Sequence, residues 1–103
     1  MYPWKPDDKP RQAHRIGKTA EECGELSAVL GRISIQGLDS VDPATQKTNR
    51  LRLIEELADV QAQIECNCVY FCLTDEEAEF FCNRVNRKIE EMTQWELHFR
   101  DRD

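Results

Sequence analysis

Long apolar runs are missing from this chain of 103 residues. No stretch approaches the ~20 residues that a membrane-spanning helix needs, and MYPWKPDDKP has no apolar core of the kind a secretory signal carries. The expected location is therefore cytoplasmic. Basic excess is missing too. The 14 Lys and Arg residues stand against 20 Asp and Glu, a net charge of -6, which argues against direct electrostatic binding to nucleic acid or to an anionic membrane. A polyanionic substrate would need a metal to bridge it to such a surface. Glycine and proline are scarce at four each, and three of the prolines fall in the first ten residues, so the body of the chain holds few helix breakers. There is no Cys-x-x-Cys among Cys23, Cys66, Cys68, Cys72 and Cys82. Cys68 and Cys72 share a helical face but Cys66 points elsewhere, so the cysteines read as buried free thiols rather than a zinc site.

What remains is helical periodicity, and no strand pattern of useful length accompanies it. Residues 1–10 are punctuated by proline and should be irregular, with Tyr2 and Trp4 packing over an apolar seam or, in a sharper reading, one ring stacking on a nucleobase. The first helix is expected to start near Asp8–Pro10 with an Asp cap and to run to about Ile33 or Gln36. Ile16, Ala20, Cys23, Ser27 and Leu30 form its apolar stripe, while Lys18, Glu21, Glu22 and Glu25 share another face. Gly17 and Gly24 need a packing reason, such as a close helix approach, because each lowers helix propensity. After Gly37, a helix-ending residue, the second helix begins either at Asp42-Pro43 or near Asn49, and continues to about Leu73. Its stripe is Leu53, Leu57, Val60, Ile64, Cys68 and Phe71, with Arg52, Glu56, Asp59 and Gln63 beside it. Thr74-Asp-Glu-Glu77 is a capping box opening a third helix, with Ala78, Phe81, Cys82, Val85, Ile89, Met92 and Phe99 on its apolar side. The tail HFRDRD is expected to fray.

The expected fold is a single all-α domain over 1–103, its long helices antiparallel. Three such helices carry more apolar stripe than one short chain covers, so oligomerisation should complete a four-helix-type bundle.

Two acidic pairs stand out within these helices: Glu22-x-x-Glu25 in EECGEL and Glu56-x-x-Asp59 in EELADV. Spacing of i, i+3 puts each pair on one face. A lone pair of this kind is usually a solvated surface. Two, each beside an apolar stripe and each preceded by a further acid (Glu21, Glu55), point to convergence of four carboxylates if the helices pack together. Such a cluster repels itself unless a cation sits within it. Oxygen-only ligands favour Mg²⁺ or Mn²⁺ over zinc or iron, and His14 and His98 are not placed for a Glu-x-x-His di-iron motif.

Lys18-Thr-Ala-Glu-Glu22-Cys-Gly-Glu25-Leu followed by Glu55-Glu56-Leu-Ala-Asp59-Val resembles the signature of the all-α nucleoside triphosphate pyrophosphohydrolases. These are the MazG-like enzymes, related to dimeric dUTPases, dCTP pyrophosphatases and phosphoribosyl-ATP pyrophosphohydrolases. The resemblance runs from about Lys18 to Met92. It implies Mg²⁺-dependent hydrolysis between the α- and β-phosphates of a nucleotide, giving a monophosphate and pyrophosphate. It also implies a metal set of Glu22, Glu25, Glu56 and Asp59, a homo-oligomer (dimer or dimer of dimers), and Glu21 or Glu25 as the group that orients or deprotonates water. Lys88 looks like the family's third-helix phosphate contact. Relatives often carry an Asn four residues on and an Arg beyond it; here Met92 and Trp95 stand there, with Asn86 as a compensating contact. Lys18, Lys47, Arg50 and Arg52 are further cations for the departing pyrophosphate, Gln63 and Trp4 further substrate contacts, and an i, i+4 pair with Glu22 is an equal role for Lys18. The stretch from 26 to 55 is longer than in compact members. Two other classes stay open: a helical interaction module, and a catalytically silent nucleotide-binding relative.

Overall fold

The computed structural model of the chain describes residues 4–6 and 8–100. A proline starts α1 (Pro10–Gln36). At the first helical position its fixed φ is already correct and its missing N–H is not needed. It also drives the preceding residue into extended backbone, and Lys9 sits at φ -97°, ψ 105°. Lys9 is thus the N-cap, without a side-chain cap bond; the expected Asp cap is not formed, since proline alone sets the entry, and irregular backbone stops one residue short of Pro10. The other end matches expectation. Gly37 takes φ 87° and donates its N–H to the Ile33 carbonyl at 2.8 Å, a conformation that a Cβ would strain.

Of the two starts open to the second helix, the later is used, and α2 spans Asn49–Tyr70. Asp42-Pro43 instead builds a turn. Asp42 accepts from the Ala44 N–H at 2.9 Å and from Arg32 Nη1 at 2.8 Å. The Ala44 amide first, and then Arg32, hold the Asp42 carboxyl below its ordinary range. Val41 and Thr48 close the loop as an isolated bridge. Thr48 Oγ1 then accepts from the Leu51 N–H at 3.1 Å, satisfying one donor of the first turn. The helix stops at Tyr70, short of the expected Leu73, and Cys72 beyond it has φ 50°.

Two polar ties set how α1 and α2 pack. Near the loop, fully buried Asn49 donates Nδ2 to the Gly37 carbonyl at 2.9 Å. Towards the opposite ends, Asn67 Nδ2 donates to Thr19 Oγ1 at 3.0 Å, and the Thr19 hydroxyl lies 3.1 Å from the Arg15 carbonyl. Pairing 37 with 49 and 19 with 67 makes the helices antiparallel, as expected. The face α1 turns inward is not the expected one. Arg15, Lys18, Thr19, Glu22, Leu26, Val29 and Ile33 are buried or half-buried, whereas Ile16 is 48% and Leu30 47% exposed. The helix has apolar side chains on two faces, and only the partner decides which is covered. On α2, Leu53, Val60, Ile64 and Cys68 are half-buried as expected, while Leu57 is exposed. No cysteine is in a disulfide, and none of the five is buried. Gly17 and Gly24 meet no close neighbour, since a Cβ at either would have nothing within 4 Å; the close approach expected there is not made.

The chain divides into two compact units, the α1–α2 hairpin up to Tyr70 and a second from Phe71 onward. The second holds α3 (Asp75–Leu97), opened by the expected capping box: Glu77 N–H donates to Thr74 Oγ1 at 3.2 Å and Thr74 N–H to Glu77 Oε1 at 3.0 Å. Phe80, Phe81, Val85, Ile89 and Met92 lie exposed along it, and Trp95 and Phe99 rings meet at 4.8 Å between centroids. The described residues are thus all-helical, with three helices and no strand beyond the isolated bridge. None of these helices is long and apolar enough to cross a membrane.

The Asn49 tie yields a stability test. Asn49→Ala removes the buried amide that donates to the Gly37 carbonyl and leaves a small void, which should cost about 1–3 kcal/mol. Urea unfolding should show a lower midpoint with an unchanged slope.

Candidate metal centre

Because α1 presents its acidic face to α2, the two acidic motifs meet. One carboxylate oxygen each from Glu22, Glu56 and Asp59 lie within 4.8 Å of one another. Glu22 and Glu56 are almost wholly buried, at 9% and 6% exposure, and Asp59 is exposed at the rim. Two like charges at that separation repel by on the order of 3 kcal/mol at an effective dielectric near 20. Flanking cations offset part of this. Lys18 Nζ stands 3.3 Å from Glu22 Oε1, and Arg52 Nη2 stands 3.5 Å from Glu56 Oε1, each one helical turn away.

Those pairs engage only one oxygen of each carboxylate. Oε2 of Glu22 and Oε2 of Glu56 are buried with no hydrogen-bond partner among the described residues. Buried carboxylate oxygens are normally satisfied, because an unmet one costs its desolvation. Two such oxygens beside a third carboxylate are the donor set a hard divalent cation takes up, with its remaining positions filled by water. The residues present therefore fit Mg²⁺ or Mn²⁺.

Glu25, the fourth expected ligand, is exposed and lies outside the trio. It nonetheless feels the cluster: the charge of Glu22 first, then partial burial and the charge of Glu56, raise its carboxyl above the ordinary range. Glu21 is not brought in. Its contact is with Lys18 at 3.5 Å, which therefore bridges two acids. The hydrogen bond to Glu22, with the charges of both, raises the ammonium further, so the i, i+4 role for Lys18 is realised. Gln63 lies one turn beyond Asp59, its Oε1 3.5 Å from Thr19 Oγ1. Lys47 is paired with Glu55 at 2.8 Å. Asn86 and Lys88 lie on α3, both exposed, Lys88 paired with Glu91 at 3.2 Å. Trp4 is 83% exposed, and Tyr2 lies outside the described residues.

Three residues that matter here carried no motif. Asn49 and Thr19 fix the helix register, and Arg15 holds buried guanidinium nitrogens without a partner. The one available signal for Arg15 was its place seven residues before Glu22, on the same helical face. Against family profiles, curated proteins and solved structures, the chain finds no match.

The charge balance gives two linked outcomes. A carboxyl whose folded pKa is raised contributes stability below its unfolded pKa and loses it as pH rises through the folded value. With EDTA present, melting temperature should therefore fall as Glu25 ionises. Saturating Mg²⁺ should raise the melting temperature and flatten that fall, through binding to the folded state alone. Glu22→Gln and Glu56→Gln should be as stable as the parent or more so in EDTA, yet lose most of the Mg²⁺ shift. Scanning calorimetry across pH in both buffers checks this.

Proposed function

We propose that the chain is a Mg²⁺-dependent nucleoside triphosphate pyrophosphohydrolase, cleaving the α–β phosphate bond to release nucleoside monophosphate and pyrophosphate, with Mn²⁺ as an alternative metal. The observation that carries this reading is the meeting of Glu22, Glu56 and Asp59 across two helices with two buried oxygens unmatched. A solvated acidic face has no reason to bury carboxylates against one another. The resemblance of both motifs to MazG-like enzymes supplies the reaction.

Glu22, Glu56 and Asp59 would hold the metal, which when bound supplies neutralisation of phosphate charge and activation of water. Glu25 stands beside the trio with a raised proton affinity, which suits a group that accepts a proton from attacking water. In this reading Lys18 and Arg52, already against the carboxylates, would bind the phosphoryl oxygens of substrate, and Gln63 would orient it. Lys88 and Asn86 of the second unit, and Trp4, stay proposed substrate contacts on the sequence reading alone. A nucleotide-pool role in the cytoplasm accords with this chemistry.

The same reading includes self-association into a four-helix-type bundle. Each unit leaves large apolar side chains in water, Ile35 and Val69 on the hairpin and Phe80 and Ile89 on α3, and a second copy would remove them from it. Light scattering at micromolar concentration should give a dimer or larger; a well-folded monomer would count against it.

Activity has a direct test. A screen of ribo- and deoxyribonucleoside triphosphates should show Mg²⁺-dependent pyrophosphate release, and Asp59→Asn, which sits at the exposed rim and should fold normally, should lower it at least a hundredfold. If Asp59→Asn retains near-normal release, the carboxylate trio is not the active site. Nucleotide binding without release by the parent would make the chain a silent binder.

A further inference from the structure

Two helical turns before Glu22, α1 turns from acidic to basic. Arg11, His14, Arg15 and Lys18 follow one another at steps of three, one and three, on the side of the helix that leads into Glu22. With Pro10 from α1 and Tyr70 from the end of α2 they line a cavity of about 410 Å³, a volume typical of small-molecule sites. Lys18 belongs to both regions, since it lines this cavity and its Nζ is 3.3 Å from Glu22. The cavity and the carboxylate trio therefore adjoin through one side chain.

Arg15 sets this stretch apart from an ordinary basic surface. Its Nε and Nη2 are shielded from water and have no hydrogen-bond partner among the described residues. A guanidinium is always charged and holds five donors in a fixed fork, so leaving the three on Nε and Nη2 buried and unmet is costly. Among the described residues no carboxylate is ion-paired with it. Glu65, which lines a neighbouring cavity with Arg15, has its Oε2 3.4 Å from Gln61 Nε2. Lys18 is committed to Glu21 and Glu22. The backbone beneath Arg15 is held, because the Thr19 hydroxyl lies 3.1 Å from its carbonyl and is itself tied to Asn67 of α2. Unmet guanidinium donors beside a cavity lined by three further nitrogen bases match an oxyanion, and next to a candidate metal site the oxyanion to expect is a phosphoryl group.

We propose that Arg15, with Arg11, His14 and Lys18, forms a phosphoryl subsite that takes the end of a polyphosphate chain remote from the carboxylate trio. Glu22 lies about 10 Å along the helix axis from Arg15 and about 6 Å from Lys18, an interval that a short phosphoryl chain and the long basic side chains bridge together. The subsite rests on the metal-dependent reading above for its direction: the bond at the trio is cut and the departing pyrophosphate lies towards Arg15. The substrate class is then nucleotides carrying at least three phosphates, and pyrophosphate is a competitive product inhibitor through the same contacts.

Titration calorimetry with Mg²⁺ alone and then with inorganic tripolyphosphate, in Mg²⁺ and in EDTA, separates the two ideas. Arg15→Gln should bind Mg²⁺ within twofold of the parent and bind tripolyphosphate at least tenfold more weakly in either buffer. Arg15→Lys should recover only part, since it restores charge but not the fork. Arg87→Gln removes an equal charge from α3 and should leave tripolyphosphate affinity within twofold. Thermal melts of each variant establish that it is folded. If the parent binds Mg²⁺ and Arg15→Gln takes up tripolyphosphate as tightly as the parent, the subsite is wrong and the metal centre stands. If the parent binds no Mg²⁺, the metal reading fails, and the Arg15→Gln effect in EDTA decides the subsite alone. Failure of the parent to bind tripolyphosphate in both buffers, or an equal loss in Arg87→Gln, overturns the proposal.

Discussion

Burying Glu22 against Glu56 is the constraint from which the rest of the hairpin follows. Two carboxylates in a shielded seam are unfavourable, and apolar packing alone would turn both helices by part of a turn and expose them. The hairpin prevents that rotation with polar contacts whose geometry is directional. Asn49 ties the loop end through the Gly37 carbonyl, and Thr19 with Asn67 ties the other. Lys18 and Arg52 then reduce the repulsion from one side each without filling the remaining oxygens. The apolar contribution is small by comparison, since Val29 is the one hydrophobic side chain fully buried among the described residues.

Charge also divides α1 along its length. From Arg11 to Lys18 it is basic, and from Glu22 to Glu25 acidic, so a ligand lying along it would meet cations at one end and carboxylates at the other. A cation held by the acids and an anion held by the bases would each reduce the field acting on the other. Binding of the two is then expected to be mutually reinforcing, with the effect of metal on anion affinity equal to that of anion on metal affinity.

Helix identity was legible in the chain because the signals there are local. Pro10 and Gly37 bracket α1 through backbone restrictions of single residues, and Thr74 with Glu77 opens α3 through a bond pair three residues apart. The convergence of Glu22, Glu56 and Asp59 was legible as well, from spacing and charge. Which face of α1 turns inward was not. Ile16, Ala20, Cys23, Ser27 and Leu30 make a good stripe, but Leu26, Val29 and Ile33 make another, and periodicity cannot rank two apolar faces on one helix. The outcome turned on Asn49 and Thr19, whose partners lie 12 and 48 residues away. Arg15 was not legible for a related reason: its importance lies in the bonds its nitrogens lack, which only the surrounding structure reveals.

The turn at Gly37 and the tie at Asn49 sit together at one end of the hairpin, while Glu22 and Glu56 lie well inside the helices. Fraying begins at helix ends, where backbone groups lack intrahelical partners. Here the loop end is pinned by a buried side-chain amide, and Thr19 with Asn67 ties the two helices again towards their far ends. Glu22 and Glu56 therefore lie between two ties, and only the turns of α1 before Thr19 stand outside them. A ligand entering past Arg11 would cross those turns before reaching the part of the fold that both ties hold.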